Sequence, residues 1–527
     1  MVNIELIQKA ISLTQQGKIS EAEEIYKDIQ KENPDNPDIL SIIGLFYVNI
    51  ANYDKAIEIL DKAVKLKKTL GTISALGFAY FEQRDFAKAA EYLEEALENG
   101  KNEDIYNKLV LSLFEIKNYK KAVEFADKMY ELYPEDNRAI TNKIKALTQQ
   151  GKMLEAEKLC IESLKKTPNV SSLWFHLGFL KELIYCDDKQ AIECYKAAAD
   201  LGNPQAFYNI AVSAQKLGQK DDAEKYYKKM LEYFPNDVET ETSLGMCFLS
   251  QKRFKEGYDL FFKRAIAPSC KKSENLWKVG DKIDDEIVVI CEQGLGDHIQ
   301  FVRYLPFLPA KTINVAVPKS LKALFTQNYP NINFINFDEI NPKMQALRIT
   351  DLAYILNMDF DNIPFSEGYL KSPKAEIIND KLKVGLCWEA GSAGIRTMIN
   401  RTINIKCFSE LLKMDNIQVY SFQVDDTLKG CEQFPQMVNL GKDFKDFSDT
   451  AEALMAMDVL VTVDTSVAHL AGALGVKTYL LLPYATDWRW FNDTKTTPWY
   501  KSVEIFKQTD NISWEEPINN VIEKLKH

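Results

Sequence analysis

Two turns in the chain hold the residues whose types and spacing could do chemistry. In "CEQGLGDHIQF", Gly294 and Gly296 flank a tight strand-to-helix turn that brings Asp297 to the carboxyl end of a sheet. Open α/β folds bind ligands at that edge, although Asp297 could equally serve only to cap the helix that follows. The glycine spacing does not reproduce a dinucleotide-binding fingerprint. In "VTVDTSVAHLAGALG", a strand ends in Asp464, Thr465 and Ser466 and a small-residue helix begins. Backbone N–H groups and hydroxyls at a helix N-terminus make an anion site. "TDWRWF" offers Trp488, Arg489 and Trp490 either as loop packing or as a cleft wall that stacks on a base or sugar. Asp425 and Asp426 form no Asp-x-Asp motif at a strand end, and no His/Cys cluster has ligand spacing, so the sequence requires no metal.

These turns need sheets to hold them, and the second half of the chain reads as alternating strands and helices. "DEIVVICEQ", "KTINVAVP" and "NINFINF" read as strands, with helices in "HIQFVRYLPFL" and "SLKALFTQNYP" between them. A second set runs from "KLKVGLCWEA" through "IQVYSFQ", "VLVTVDT", "KTYLLLP" and "VEIFKQ". Such alternation predicts parallel sheets covered by helices, in two α/β domains spanning 271–375 and 376–527. The stretch from about Asn362 to Asp380, with Pro364 and Pro373, reads as a hinge.

The first half has a different grammar. A small residue returns every 32–35 positions, at Ala22, Ala56, Ala89, Ala122, Ala156, Ala191, Ala223 and Gly257. Twelve residues before it, or thirteen in the case of Gly178, stands another small residue, as in Gly44, Gly77, Gly178 and Gly245. Four after it comes a large one, among them Tyr26, Leu60, Leu93, Tyr195, Tyr227 and Phe261. Small residues let two helices approach closely and large ones fill the adjoining groove. Pro34, Pro134, Pro168 and Pro235 then stop the second helix of their units. Residues 1–270 therefore read as about eight stacked helix pairs.

Composition excludes other classes. With 46% hydrophobic and 27% charged residues the chain is an ordinary globular protein, and a net charge of −11 opposes a nonspecific grip on nucleic acid. Nine scattered cysteines, several inside helix or strand patterns (Cys160, Cys194, Cys291, Cys387), read as buried free thiols, which suits a reducing cytoplasm. The opening residues carry no signal-peptide pattern and no stretch is apolar enough for membrane insertion, so a cytoplasmic location is expected.

The repeat grammar, clearest in "PDILSIIGLFYVNIANYDKAIEILDKAVKLKK", resembles the tetratricopeptide repeat. "EQGLGDHIQFVRYLPFL", "GLCWEAGS", "NRTINIKCFSELL" and "VDTSVAHLAGALGVKTYLLLPYATDWRWF" resemble bacterial tetratricopeptide-repeat proteins fused to a domain similar to family 9 glycosyltransferases, the group that includes heptosyltransferases. The resemblance implies a GT-B catalytic region of two Rossmann-like domains, with no cofactor beyond a nucleotide-diphosphate sugar as donor. It puts Asp297 facing the acceptor, where a carboxylate can take the proton of an attacking hydroxyl. It puts Asp464, Thr465, Ser466 and His469 in the donor-binding turn, His469 being otherwise a satisfied structural residue. Arg396 or Arg401 would neutralise the leaving diphosphate, Arg401 matching the family pattern better. Gln293, Gly296, His298 (where the family more often has threonine), Trp388, Trp488 and Arg489 would line the cleft. Because a repeat superhelix suits an extended polypeptide, the expected acceptor is a protein, such as a surface or flagellar subunit. The other readings are transfer to a glycan or lipid-linked acceptor, and a scaffold or sugar-nucleotide sensor without turnover.

Overall fold

The computed structural model describes residues 4–391, 401–424, 431–491, 495–509 and 513–526. The chain forms two compact units, Met1–Ala206 and Phe207–His527.

Among the described residues sixteen helices run from Ile4–Gln15 to Phe254–Phe261, forming eight successive pairs. In the first unit Ala22, Ala56, Ala89, Ala122, Ala156 and Ala191 are all fully buried. The small and large positions meet as their spacing implies. A Cβ on Gly44 would stand 2.3 Å from Leu60 Cγ, one on Gly77 2.7 Å from Leu93 Cδ2, and one on Gly178 2.7 Å from Tyr195 Cε1. Leu60, Leu93 and Tyr195 are themselves fully buried, each such side chain contributing roughly 1.5–3 kcal/mol of transfer free energy. Pro34, Pro134 and Pro168 lie just past the helices that end at Glu32, Leu132 and Lys166. Side-chain caps start the next helix, as where Asn36 Oδ1 accepts from the N–H groups of Asp38 and Ile39.

The second unit begins inside the helix Gln205–Lys216 and holds the last two helix pairs together with two sheets. The first sheet contains β1 (Glu286–Ile290), β2 (Thr312–Ala316), β3 (Asn333–Ile335) and β4 (Gln345–Arg348), all parallel, in the order β3-β2-β1-β4. The second contains β5 (Leu382–Cys387), β6 (Ile417–Ser421), β7 (Val438–Asn439), β8 (Val459–Val463), β9 (Thr478–Leu482), β10 (Thr496–Thr497) and β11 (Tyr500–Lys507). Its order is β10-β11-β9-β8-β5-β6-β7, and only β10 runs antiparallel. Every residue of β8 and β9 is buried. That is why these strands read as nearly continuous apolar runs rather than alternating ones.

Short strands escaped the sequence. β4, "QALR", has polar residues at both ends and no β-branched run, yet all four are buried. In "HIQFVRYLPFL" the α-helix Leu295–Phe301 tightens at Val302 into a 3-10 turn containing Pro306, which cannot continue an α-helix.

The segment read as a hinge is held to its neighbours by main-chain hydrogen bonds. Tyr369 and Leu370 both donate main-chain N–H groups to Ala473 O at 2.8 and 2.9 Å, Lys501 N donates to Ser366 O at 2.9 Å, and Ala375 N to Glu452 O at 3.0 Å. Arg303, fully buried, completes the fastening. Its guanidinium donates to the carbonyls of Gln300, Pro364 and Trp499 and to Tyr369 Oη at 2.9–3.2 Å. Leu249, Phe254, Tyr258 and Phe261 from the last helix pair share one apolar core with Trp488, Trp499 and both sheets.

Candidate functional site

In both sheets the chain steps outward from the first strand and then returns to its other side, so the order reverses between β1 and β4 and between β5 and β8. Open α/β sheets bind ligands outside the carboxyl ends of the strands at such a reversal. The residues that follow these four strands are Cys291–Asp297, Ile349–Asp351, Trp388–Gly391 and Asp464–Ser466. The two turns singled out by sequence thus lie at the two reversal points. Gln293, exposed within the first turn, holds a left-handed φ of +74°, a conformation that costs a non-glycine residue about 1 kcal/mol or more and clusters at functional sites.

Asp297, Arg489, Asp487, Arg401 and Asp464 form a chain of alternating charge across the two sheets. Asp297 Oδ2 accepts from Gly294 N at 3.0 Å and its Oδ1 pairs with Arg489 Nη2. Arg489 Nη1 reaches Asp487 Oδ1 at 2.8 Å, and Asp487 Oδ2 stands 3.7 Å from Arg401 Nη2. Arg401 Nη1 ends the chain 3.2 Å from Asp464 Oδ2. Ile403 N donating to Trp388 O at 2.8 Å ties the segment bearing Arg401 to the end of β5. Burial opposes every charge here, and the direction of each shift depends on whether the partners outweigh it. For Asp464 burial prevails over Arg401 and raises the carboxyl above its ordinary range. For Asp487 the two guanidiniums prevail over burial and lower it, and for Arg489 the carboxylates prevail and raise it. Thr465 and Ser466 are half-buried where the helix Ser466–Leu474 begins. The Thr465 hydroxyl leaves the helix end uncapped and lies 3.3 Å from Thr462 Oγ1.

His469 does not face an open site. It is buried, its Nδ1 is 3.0 Å from Tyr500 Oη, and its ring stacks on Trp490 at 4.9 Å between centroids. Burial, reinforced by the positive charge of Arg489, lowers its pKa to about 3, so the ring is neutral. Gly296 lies against this ring, since a Cβ there would stand 2.7 Å from His469 Cδ2. Other expected cleft residues are also interior. His298 is buried, with Nε2 2.8 Å from Glu292 O, and burial lowers its pKa. Trp388 packs in a core with Val384, Ile403 and Val461. Trp488 is buried edge-on against Tyr258 of the last repeat helix and backs Arg489, whose Cζ stands 4.5 Å from its ring centroid. Large aromatic side chains bury much apolar area in a core, which accounts for the placement of both tryptophans. Arg396 lies outside the described residues, as do Asp425 and Asp426.

Sequence reasoning missed Asp487, which caps the turn Trp488–Trp490 by accepting from Arg489 N at 3.1 Å. Its position two residues before Arg489, in "TDWRW", was the available signal. It also missed a buried cluster at the ends of β1 and β4. Arg264, just past the last repeat helix, donates to Asp351 Oδ1 at 2.6 Å, to Thr350 Oγ1 at 2.5 Å and to Glu292. Arg348 donates to Asp351 Oδ2 at 2.5 Å. Only the fold brings residues so far apart in sequence together.

The nine cysteines are free, and Cys160, Cys194, Cys291 and Cys387 are buried. No described helix is long and apolar enough to cross a membrane.

Comparison with known proteins bears on the repeats. Protein FlbA of Caulobacter vibrioides is 22% identical over 450 residues, covering 75% of this chain and 73% of that protein. A tetratricopeptide repeat protein from Parabacteroides merdae aligns with 46% of this chain and 98% of its own at 17% identity, with a TM-score of 0.42. PilF of Pseudomonas aeruginosa aligns with 39% of this chain and 95% of its own at 22% identity, with a TM-score of 0.32. Residues 13–69, 75–137 and 204–237 match family descriptions of the tetratricopeptide repeat. The helical half of the chain is therefore built of tetratricopeptide repeats, a motif that generally mediates contact between proteins.

Proposed function

We propose that the protein is a metal-independent, inverting glycosyltransferase of GT-B architecture. On this reading it moves a sugar from a nucleotide-diphosphate donor to a hydroxyl of a cytoplasmic protein acceptor held by the repeats. The observation that carries the proposal is the chain of ion pairs joining Asp297 at the end of β1 to Arg489, Arg401 and Asp464 around the end of β8. Sugar transfer needs a carboxylate to take the acceptor's proton and cations to receive the leaving diphosphate. Asp297 would serve as the base, and Arg401 with Arg489 would hold the diphosphate beside the start of the helix Ser466–Leu474. His469 then acts as a packing residue between the helices that carry the two turns.

Incubation of the purified protein with a panel of radiolabelled nucleotide sugars and lysate of the host cell tests this directly. Label on a discrete protein supports the reading, label on glycan or lipid alone redirects it to those acceptors, and no incorporation from any donor refutes it. One observation favours a scaffold or sugar-nucleotide sensor instead: both oxygens of Asp297 already have partners, Gly294 N–H and Arg489. Donor binding without transfer would establish that second reading.

A further inference from the structure

Arg489 holds two carboxylates from different parts of the second unit. Asp487 belongs to its own turn and is bound twice, by the Arg489 main-chain N–H at 3.1 Å and by Nη1 at 2.8 Å, with Arg401 nearby. Asp297 arrives from the other sheet and meets Arg489 through Oδ1 alone. The buried Nε of Arg489 has no hydrogen-bond partner among the described residues. Trp488 lies under the guanidinium and keeps it in place.

Charge counting shows what must happen when an anion enters. Three carboxylates already share two guanidiniums along this chain. A diphosphate adds further negative charge in a part-buried place, where unpaired charge is costly. Charge balance at Arg489 is kept if a carboxylate gives way, and Asp297 is the one fastened to it by a single hydrogen bond, whereas Asp487 has two.

We infer that Arg489 exchanges Asp297 for the diphosphate of the donor, so that Asp297 becomes a free base only after the donor is seated. This inference rests on the glycosyltransferase reading above. While Oδ1 of Asp297 accepts from Arg489 and Oδ2 from Gly294 N–H, both oxygens are engaged and an acceptor hydroxyl has to compete with Arg489 for Oδ1. Transfer of Arg489 to the diphosphate removes that restraint at the step that needs it. The acceptor O–H bond then breaks with its proton passing to Asp297. The oxygen bonds to the anomeric carbon, and the electron pair of the old carbon–oxygen bond leaves with the diphosphate on Arg489 and Arg401. Binding is therefore ordered, donor before acceptor activation, and an acceptor alone meets a neutralised base.

Calorimetry on the full chain tests the exchange with four probes: inorganic pyrophosphate, UDP, GDP and ADP. Asp297→Asn removes the competing charge while keeping an oxygen for Gly294 N–H, so it should bind the preferred probe about tenfold more tightly than wild type, the scale of one released ion pair. Arg489→Gln should weaken binding, and Asp297→Asn in that background should bring no gain. Arg489→Lys, which retains the charge, gives an independent check should the glutamine variant fail to fold, with a gain smaller than in wild type expected. Equal affinity of wild type and Asp297→Asn for a probe that both bind overturns the exchange and leaves the glycosyltransferase reading standing. No binding of any probe by either protein overturns both.

Discussion

The imidazole of His469 occupies the space that a side chain on Gly296 would need, with the missing Cβ placed 2.7 Å from His469 Cδ2. Two helices, each starting at the end of a central strand, approach through this glycine. On the helix of His469, Gly472 admits the ring of Tyr500 in the same way, at 2.4 Å from its own missing Cβ. Gly296→Ala should accordingly destabilise the second unit by about 1–3 kcal/mol, the range for overpacking a filled core. A double-mutant cycle in thermal melts measures the cause. Gly296→Ala combined with His469→Ala should lose less than the sum of the single changes, and strict additivity would show that the ring is not the obstacle.

His469 also sets a pH window. Its folded pKa, lowered to about 3 by burial, lies below the ordinary histidine value of about 6.5. Between these values the unfolded chain binds a proton that the folded chain refuses. Stability from this group is thus complete above about pH 6.5 and drains away as pH falls toward 3, by up to about 1.4 kcal/mol per unit. His469→Phe should flatten that part of the stability curve, read as the difference from wild type in urea melts between pH 7 and 4. An unchanged slope would mean that the imidazole accepts its proton in the folded state.

Arg264 joins the end of the last repeat to both strands at the first reversal point. Arg264→Met strips Glu292 and Asp351 of a shared cation in the interior, a change that costs about 3–5 kcal/mol when one partner of a buried pair is removed. Hydrogen exchange should show β1 and β4 opening more readily, with the helices of residues 4–200 unaffected. Protection of β1 unchanged from wild type would show that Arg348 alone suffices.

Asp297→Asn should lower sugar transfer by about 10²–10⁴, the usual loss with a general base, with a near-wild-type fold because an amide oxygen can still accept from Gly294 N–H. Transfer above about a tenth of wild type would reduce Asp297 to a helix cap.

The boundary between compact units after Ala206 suggests a cut. Deletion of residues 1–204 should leave pyrophosphate affinity within about threefold of the full chain while sharply reducing modification of the natural acceptor. Equal modification at acceptor levels far below saturation would show that these repeats recruit something other than the substrate.

How far the sequence could be read depended on whether a feature is periodic or convergent. Gly44 with Leu60 and Gly77 with Leu93 were legible because each pair recurs at a fixed offset, and a repeat writes its packing into its spacing. β8 and β9 were legible because complete burial makes them nearly continuously apolar. β4 was not, since "QALR" takes its strand character from β1 beside it. At the site, sequence located Asp297 and Asp464 through the turns that carry them, yet gave no means of knowing that Arg489 would bridge Asp297 and Asp487. Trp388, Trp488 and His298 look like cleft residues in one dimension, and only the packing reveals that each fills an interior.

Arg303 carries a consequence for how this protein can change over generations. Its buried guanidinium binds the carbonyls of Gln300, Pro364 and Trp499, groups that every amino acid possesses, and adds only the phenol of Tyr369. The joint between the two sheets is therefore indifferent to which side chains populate most of its surroundings and sensitive to the path of the backbone. Substitutions around it can accumulate freely so long as that path holds, whereas Arg303 itself has no equivalent: lysine offers one nitrogen where four separate acceptors converge. One position binds three stretches of backbone at once, and drift in the side chains around it leaves those bonds intact.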